Sequence, residues 1–174
     1  VVEALLAAGA EKEAKTNDGC TPLFMAAQNG HVAVLDALLA AGANVDARGA
    51  GHGTPLHVAA QDGHASCVQQ LLAHRCAVAA VNAQESTALM CATGKNHVEC
   101  IRLLMREGGA DASIVTQHPE HAGQTAAEVA AARGHDAATL HELQRVCATC
   151  GKTARKLEGN TLLKCAVCGG AYYC

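Results

Sequence analysis

The chain has 174 residues, a formal net charge of −3, 50% apolar residues and only 2% aromatic ones. That balance offers nucleic acid no basic field, and one Phe with two Tyr leaves little for bases to stack on. No apolar run reaches membrane-spanning length and no secretory signal opens the sequence, so an intracellular setting, cytoplasmic or nuclear, is expected.

The first residues, Val1-Val2-Glu3-Ala4-Leu5-Leu6-Ala7-Ala8-Gly9-Ala10, align with Val34-Leu35-Asp36-Ala37-Leu38-Leu39-Ala40-Ala41-Gly42-Ala43. They predict the second helix of a repeat cut from a longer array, with apolar surface around Val1, Leu5 and Leu6 uncovered and a frayed end. Thr21-Pro22-Leu23, Thr54-Pro55-Leu56 and Thr87-Ala88-Leu89 then recur 33 residues apart. They lead to Gly30-His31, Gly63-His64 and Asn96-His97, and after a longer step Thr125-Ala126-Ala127 leads to Gly134-His135. The boundaries expected are a half repeat 1–15 and repeats 16–48, 49–81, 82–115 and 116–145, together forming an array over 1–146.

Each repeat has a physical reading. Thr54 caps a helix whose first residue is Pro55, where the missing N–H costs nothing. Leu56, Ala59 and Ala60 share one face of that short helix, which Gly63 ends. After His64 a second helix begins, with Val68, Leu71 and Leu72 as its apolar stripe. A helical hairpin of this size cannot bury its apolar side alone, so the repeats must stack. Gly9, Gly42 and Gly108 stand where second helices stop, as left-handed caps. Arg75 stands at that place in the second full repeat, which predicts a different cap or local strain. The connections Glu11–Asp18, Asn44–His52 and Ala79–Glu85 are expected to project as hairpin turns, with Ser113–Gly123 a longer, irregular finger. The last helix, Asp136–Arg145, carries His141, Glu142, Gln144 and Arg145 and reads as a polar end-cap.

The 33-residue period with T-P-L-H-x-A, clearest at Thr54-Pro55-Leu56-His57-Val58-Ala59, resembles the ankyrin-repeat family over Val1 to about Val146. The fold implied is all-α: a solenoid of helical hairpins with projecting β-turn fingers. The resemblance further implies that partners meet the hairpin tips and the exposed face of each first helix. By repeat position these are Lys15, Asn17, Asp18, Met25, Gln28 and Asn29, then Arg48, His52, Val58, Gln61 and Asp62. Gln84, Lys95, Glu120 and Arg133 continue the strip.

The histidines His31, His64, His97 and His135 share one repeat position and are expected to close the turn between two helices by hydrogen bonds to backbone. His57 is likewise expected to be structural. Phe24, Met90 and Glu128 hold its place elsewhere, so no chemistry is shared across the repeats. Cys67 and Cys100 are equivalent and read as core, and Cys20, Cys76 and Cys91 also ask for no special role. A Cys67–His64 nucleophile has the spacing, but no pocket or orienting third group accompanies it. No phosphate-cradling loop, nucleophile elbow or HExxH is present, and the chain itself reads as non-enzymatic.

After Val146 the repeat stops. Cys147-Ala-Thr-Cys150 and Cys165-Ala-Val-Cys168 are separated by fourteen residues and followed by Tyr172-Tyr173-Cys174. Two C-x-x-C pairs at this spacing predict structural Zn2+, since each knuckle turns two thiolates toward one ion and four ligands complete the site. Disulfides are the alternative, which a reducing compartment disfavours. The tail 147–174 resembles the first part of a MYND-type zinc finger. That resemblance implies Cys147, Cys150 and Cys174 on one zinc, Cys165 and Cys168 on a second, and the remaining ligands downstream of Cys174. A single site of Cys147, Cys150, Cys165 and Cys168 remains the other arrangement.

The reading as a whole is a monomeric scaffold that binds proteins or peptides through the array and the finger, without a small-molecule substrate or a membrane. Two other readings stay open. One is the regulatory arm of a larger enzyme, a SET-type methyltransferase or ubiquitin ligase; the other is nucleic-acid binding through the finger.

Overall fold

The computed structural model describes residues 1–111, 114, 123–135, 137, 139, 140 and 143. The cysteine knuckles of the tail, residues 147–174, and Glu120 lie outside them, as do most of the Ser113–Gly123 finger and part of the last predicted helix.

Eight α-helices are defined among the described residues, and no strand. They are α1 (Val2–Ala7), α2 (Pro22–Gln28), α3 (Val32–Ala40), α4 (Pro55–Gln61), α5 (Ala65–Ala73), α6 (Ala88–Gly94), α7 (Val98–Arg106) and α8 (Ala126–Ala132). Each first helix of a repeat opens on the predicted threonine. The Thr21, Thr87 and Thr125 hydroxyls accept the backbone N–H of Phe24, Met90 and Glu128 at 3.3, 3.4 and 3.3 Å. Such caps satisfy donors that the helix itself cannot. Pro22 and Pro55 stand at the first helical position as expected.

The helices pack in two rows. α2, α4, α6 and α8 form one, α1, α3, α5 and α7 the other, and α2–α3, α4–α5 and α6–α7 are antiparallel hairpins joined across the rows. Alanines let the first row close up. Ala26, Ala27, Ala59, Ala60, Ala88, Ala92, Ala126 and Ala130 are all buried, and a methyl group is the largest side chain that helix axes this close can share. The larger residues fill the space between rows: Leu23, Leu35, Leu56, Leu71, Leu89, Ile101 and Leu104 are fully buried. One continuous core therefore runs through the stack. At the N-terminal end Leu5 is 55% exposed and Val1 fully so, while Leu6 packs against the core.

The helix ends separate predicted from observed caps. Gly9 and Gly42 have φ of 87° and 75°, and the next residue bonds back to the helix, Ala10 N–H to Leu5 and Ala43 N–H to Leu38, both at 2.9 Å. Arg75 keeps the same hydrogen bonds at φ 56°, so the outcome there is strain and not a different cap. A side chain in this region costs about 1–2 kcal/mol, partly offset because glycine loses more freedom on folding. Arg75→Gly is therefore expected to stabilise the fold by about 0.5–1 kcal/mol in urea unfolding. An unchanged midpoint would mean that the long side chain compensates.

The expected left-handed cap at Gly108 is displaced by one residue. Gly109 takes φ 60°, and Ala110 N–H reaches Leu104 at 2.9 Å across the extra residue. Gly108 is needed for room instead, because a Cβ there would lie 2.7 Å from the Leu104 carbonyl oxygen and 2.9 Å from Leu72 Cδ2.

Candidate functional site

The fingers are closed locally. Thr16, Gly49 and Asn82 donate their N–H groups to the carbonyls of Cys20, Gly53 and Ser86 at 3.0, 3.0 and 3.1 Å. They are also tied to one another. Arg48 Nη1 donates to the His52 carbonyl at 2.7 Å and to the Val81 carbonyl at 2.8 Å, and Ala83 N–H reaches Gly51 at 2.8 Å. Carboxylates repeat the linkage further down: Glu13 accepts the Asn44 N–H at 2.7 Å and Asp46 the Ala77 N–H at 2.8 Å. The carboxylate linkage recurs with the 33-residue period, from Glu13 to Asp46, so neighbouring fingers are aligned by one another.

His57 is buried and connects two repeats. Its Nδ1 accepts the Thr54 N–H at 3.2 Å and lies 2.8 Å from the Thr54 hydroxyl, so the proton sits on Nε2, which donates to the Ser86 carbonyl at 3.0 Å. Glu128 does the same capping work in the last repeat, accepting the Thr125 N–H and hydroxyl at 2.7 and 2.9 Å. The expectation that nothing is shared at this position therefore fails for Glu128, and Thr125-x-x-Glu128 was a legible capping box.

Burial, reinforced by nearby Arg48, lowers the His57 pKa from its ordinary 6.5, against the raising effect of its carbonyl contacts. The unfolded chain thus takes up the proton first. The stability His57 contributes is complete above pH 6.5 and is lost as pH falls through that value toward the folded-state pKa. Between about pH 7.5 and pH 5 the parent chain should lose more thermal stability than His57→Gln, which cannot titrate. Equal losses would exclude His57 as the source.

Two of the other repeated histidines reach across the interface instead of closing their own turn. His64 Nε2 donates to the Gln28 carbonyl at 3.0 Å and His97 Nε2 to the Gln61 carbonyl at 2.9 Å, each in the preceding repeat. The rings lie over Gly30 and Gly63, where a Cβ would come within 2.6 Å of each Nδ1. Asn96 holds the glycine position in the next repeat at φ 62°, and there the pattern changes. Arg133 takes the Gly94 carbonyl at 2.8 Å, Asn96 pairs with the Thr139 hydroxyl, and His135 Nε2 is left buried without a partner. Asn96 carries the Cβ that the ring leaves no room for.

Four cysteines of the array, Cys67, Cys76, Cys91 and Cys100, are poor nucleophiles. Cys67 and Cys100 are buried, and burial raises both thiols, Cys100 to about 11 with help from Glu99 and the neighbouring Cys67. Burial also raises Cys76 to about 12, assisted by Asp46, and Cys91 to about 11. The Cys67 thiol is buried and held protonated, so the Cys67–His64 pair has no accessible thiolate. Among the described residues no cluster of His, Cys, Asp or Glu could hold a metal, and no helix is long and apolar enough to cross a membrane.

A groove of about 390 Å³ runs between the third finger and the row of first helices, lined by Gln61, Asn82, Gln84, Ser86, Met90, Cys91, Gly94, Lys95, Val129 and Arg133. It gathers four of the residues expected to face partners: Gln61, Gln84, Lys95 and Arg133. Lys15, Asn17, Asp18, Met25, Gln28, Asn29, Arg48, His52 and Asp62 are exposed outside it, and Val58 is half-buried against the core. Three of the fifteen are engaged with backbone: Arg48 and Arg133 as above, and Asn29, whose amide donates to Met25 at 2.8 Å. Cys91, expected to have no special role, lines the groove as well. Its repeat equivalents, Met25 and Val58, had been placed on the partner face, so the period itself carried the signal.

The family model for ankyrin repeats (3 copies) matches the chain over residues 1–82 and 48–116. No curated protein matches it. α8, beyond these matches, packs on α6 as α6 packs on α4. By the matched repeats, the stacked helical hairpins and their capped threonines, the chain belongs to the ankyrin-repeat family.

Proposed function

We propose that this chain is a non-enzymatic protein-binding scaffold whose array presents the groove between the third finger and α4, α6 and α8 to a protein or peptide partner. One observation carries the reading: Gln61, Gln84, Lys95 and Arg133 converge on one groove, on a frame of threonine caps and buried alanines that recurs from repeat to repeat. Stability and recognition are thereby assigned to different residues. A photo-cross-linking amino acid at Gln84 should give discrete protein adducts in cells, whereas the same group at Gln69, exposed on α5, should not. Equal labelling at both sites would overturn the reading.

The tail 147–174 is proposed as a second module, the N-terminal part of a MYND-type zinc finger. Its support is the donor set of Cys147, Cys150, Cys165, Cys168 and Cys174, thiolates being the preferred ligands of structural zinc. Bound Zn2+ would fold the knuckles by linking them. Chain purified under reducing conditions should retain zinc, and Cys147→Ser and Cys165→Ser should each lower it. Loss of all zinc in either variant would point to one four-thiolate site. Zinc unchanged in both would remove the module. Two linked modules would give a partner with two matching segments an avidity neither site has alone.

A further inference from the structure

We infer that the groove selects an extended acidic peptide, one in which a carboxylate side chain is followed closely by an aliphatic one. This rests on the scaffold reading above and specifies its partner. The chain carries 16 acidic residues against 13 basic ones, yet among the described residues the groove is lined by two cations, Lys95 and Arg133, and by no carboxylate. Local charge is thus opposite in sign to the whole. Asp62 and Glu85 are chain neighbours of lining residues but do not line it.

The two cations differ in freedom. Arg133 is anchored on the Gly94 carbonyl at 2.8 Å, which fixes its guanidinium at the rim. Lys95 is exposed, and among the described residues no carboxylate pairs with it. A ligand carboxylate would therefore meet the exposed Lys95 ammonium, beside the anchored Arg133.

Below the charges the lining is apolar. Met90 and Val129 are buried and Cys91 is half-buried, and an aliphatic side chain can rest against all three. Cys91 contributes as a neutral thiol, since burial holds it protonated. Opposite stand the exposed amides of Gln61 and Gln84. An amide donates and accepts, which suits the alternating N–H and C=O groups of an extended backbone. The Asn82 amide is already spent on its own finger, accepting from the N–H groups of Gln84 and Ser86 at 3.0 Å each. It shapes the wall and leaves the two glutamines to bind.

The test uses the full chain and three dye-labelled nonapeptide pools of Gly and Ser, each with two Leu and with two Glu, two Gln or two Lys. Anisotropy gives affinity, and amide shifts around Gln84 and Lys95 in NMR give location. The Glu pool should bind at least tenfold more tightly than the Gln pool and shift those amides. Lys95→Glu, at an exposed position, should lose that preference and take up the Lys pool. If the Gln or Lys pool binds the groove as well as the Glu pool, the acidic selectivity is overturned while the scaffold reading stands. If no pool shifts the groove amides, both are overturned.

Discussion

Leu71→Ala is expected to destabilise the array by about 2–5 kcal/mol in equilibrium urea unfolding, a large part of the roughly 5–15 kcal/mol that holds a domain folded. Leu71 is fully buried on α5, between α3 and α7. Its truncation removes apolar contact and leaves a cavity that two neighbouring helices cannot both collapse into. Leu5, Leu38, Leu71 and Leu104 are the same position in successive repeats, and their exposures are 55%, 3%, 0% and 0%. Leu5→Ala should therefore cost well under half as much as Leu71→Ala. Because a stack is held by neighbour interfaces, the Leu71 change should also broaden the transition and reduce its slope, as the repeats on either side uncouple. Equal costs at positions 5 and 71 would mean that α1 is covered in solution.

Gly63→Ala is expected to cost about 2–3 kcal/mol, from left-handed strain of about 1–2 and the weakened His97 bond. Gly63 has φ 79°, and a Cβ there would lie 2.6 Å from His97 Nδ1, so the ring must swing and lengthen its bond to the Gln61 carbonyl. Gly134 provides the control. It has φ 67° and, among the described residues, nothing where a Cβ would go, so Gly134→Ala should show the backbone cost alone. In a double-mutant cycle His97→Ala should recover the excess at Gly63, since removing the ring removes the conflict. Chemical unfolding of the four variants measures both contributions. Strict additivity of Gly63→Ala and His97→Ala would show that the ring is not what Gly63 makes room for.

Much of the groove was within reach of the sequence, because its residues sit at fixed places in the period. Gln61, Gln84, Lys95 and Arg133 were placed by counting from Thr54, and the structure gathers them on one groove. Val129 holds the repeat place of Met25, Val58 and Cys91 and was within reach in the same way, whereas Met90, at the place of Phe24 and His57, was not. Both are buried like core residues, and they floor a groove only because α8 stands where it does beside α6. Arg48 and Arg133 were expected to face partners, and both bind carbonyls distant along the chain.

Local chemistry determined the repeat period, the threonine-capped starts of the first helices, the alanine and leucine faces, and strain at Arg75. These depend on spacing along a few turns, where a hydroxyl, a proline ring or a missing Cβ acts on the adjacent backbone. Stacking decided the rest: the different burial of Leu5 and Leu71, the reach of His64 and His97 into the preceding repeat, and the shift of the left-handed cap to Gly109. It also decided the loss of the His135 bond beside Asn96 and the sign of charge in the groove. Each depends on residues distant along the chain that stacking brings together, and at Gly30, Gly63 and Gly108 it is the absence of a Cβ that lets the contact form.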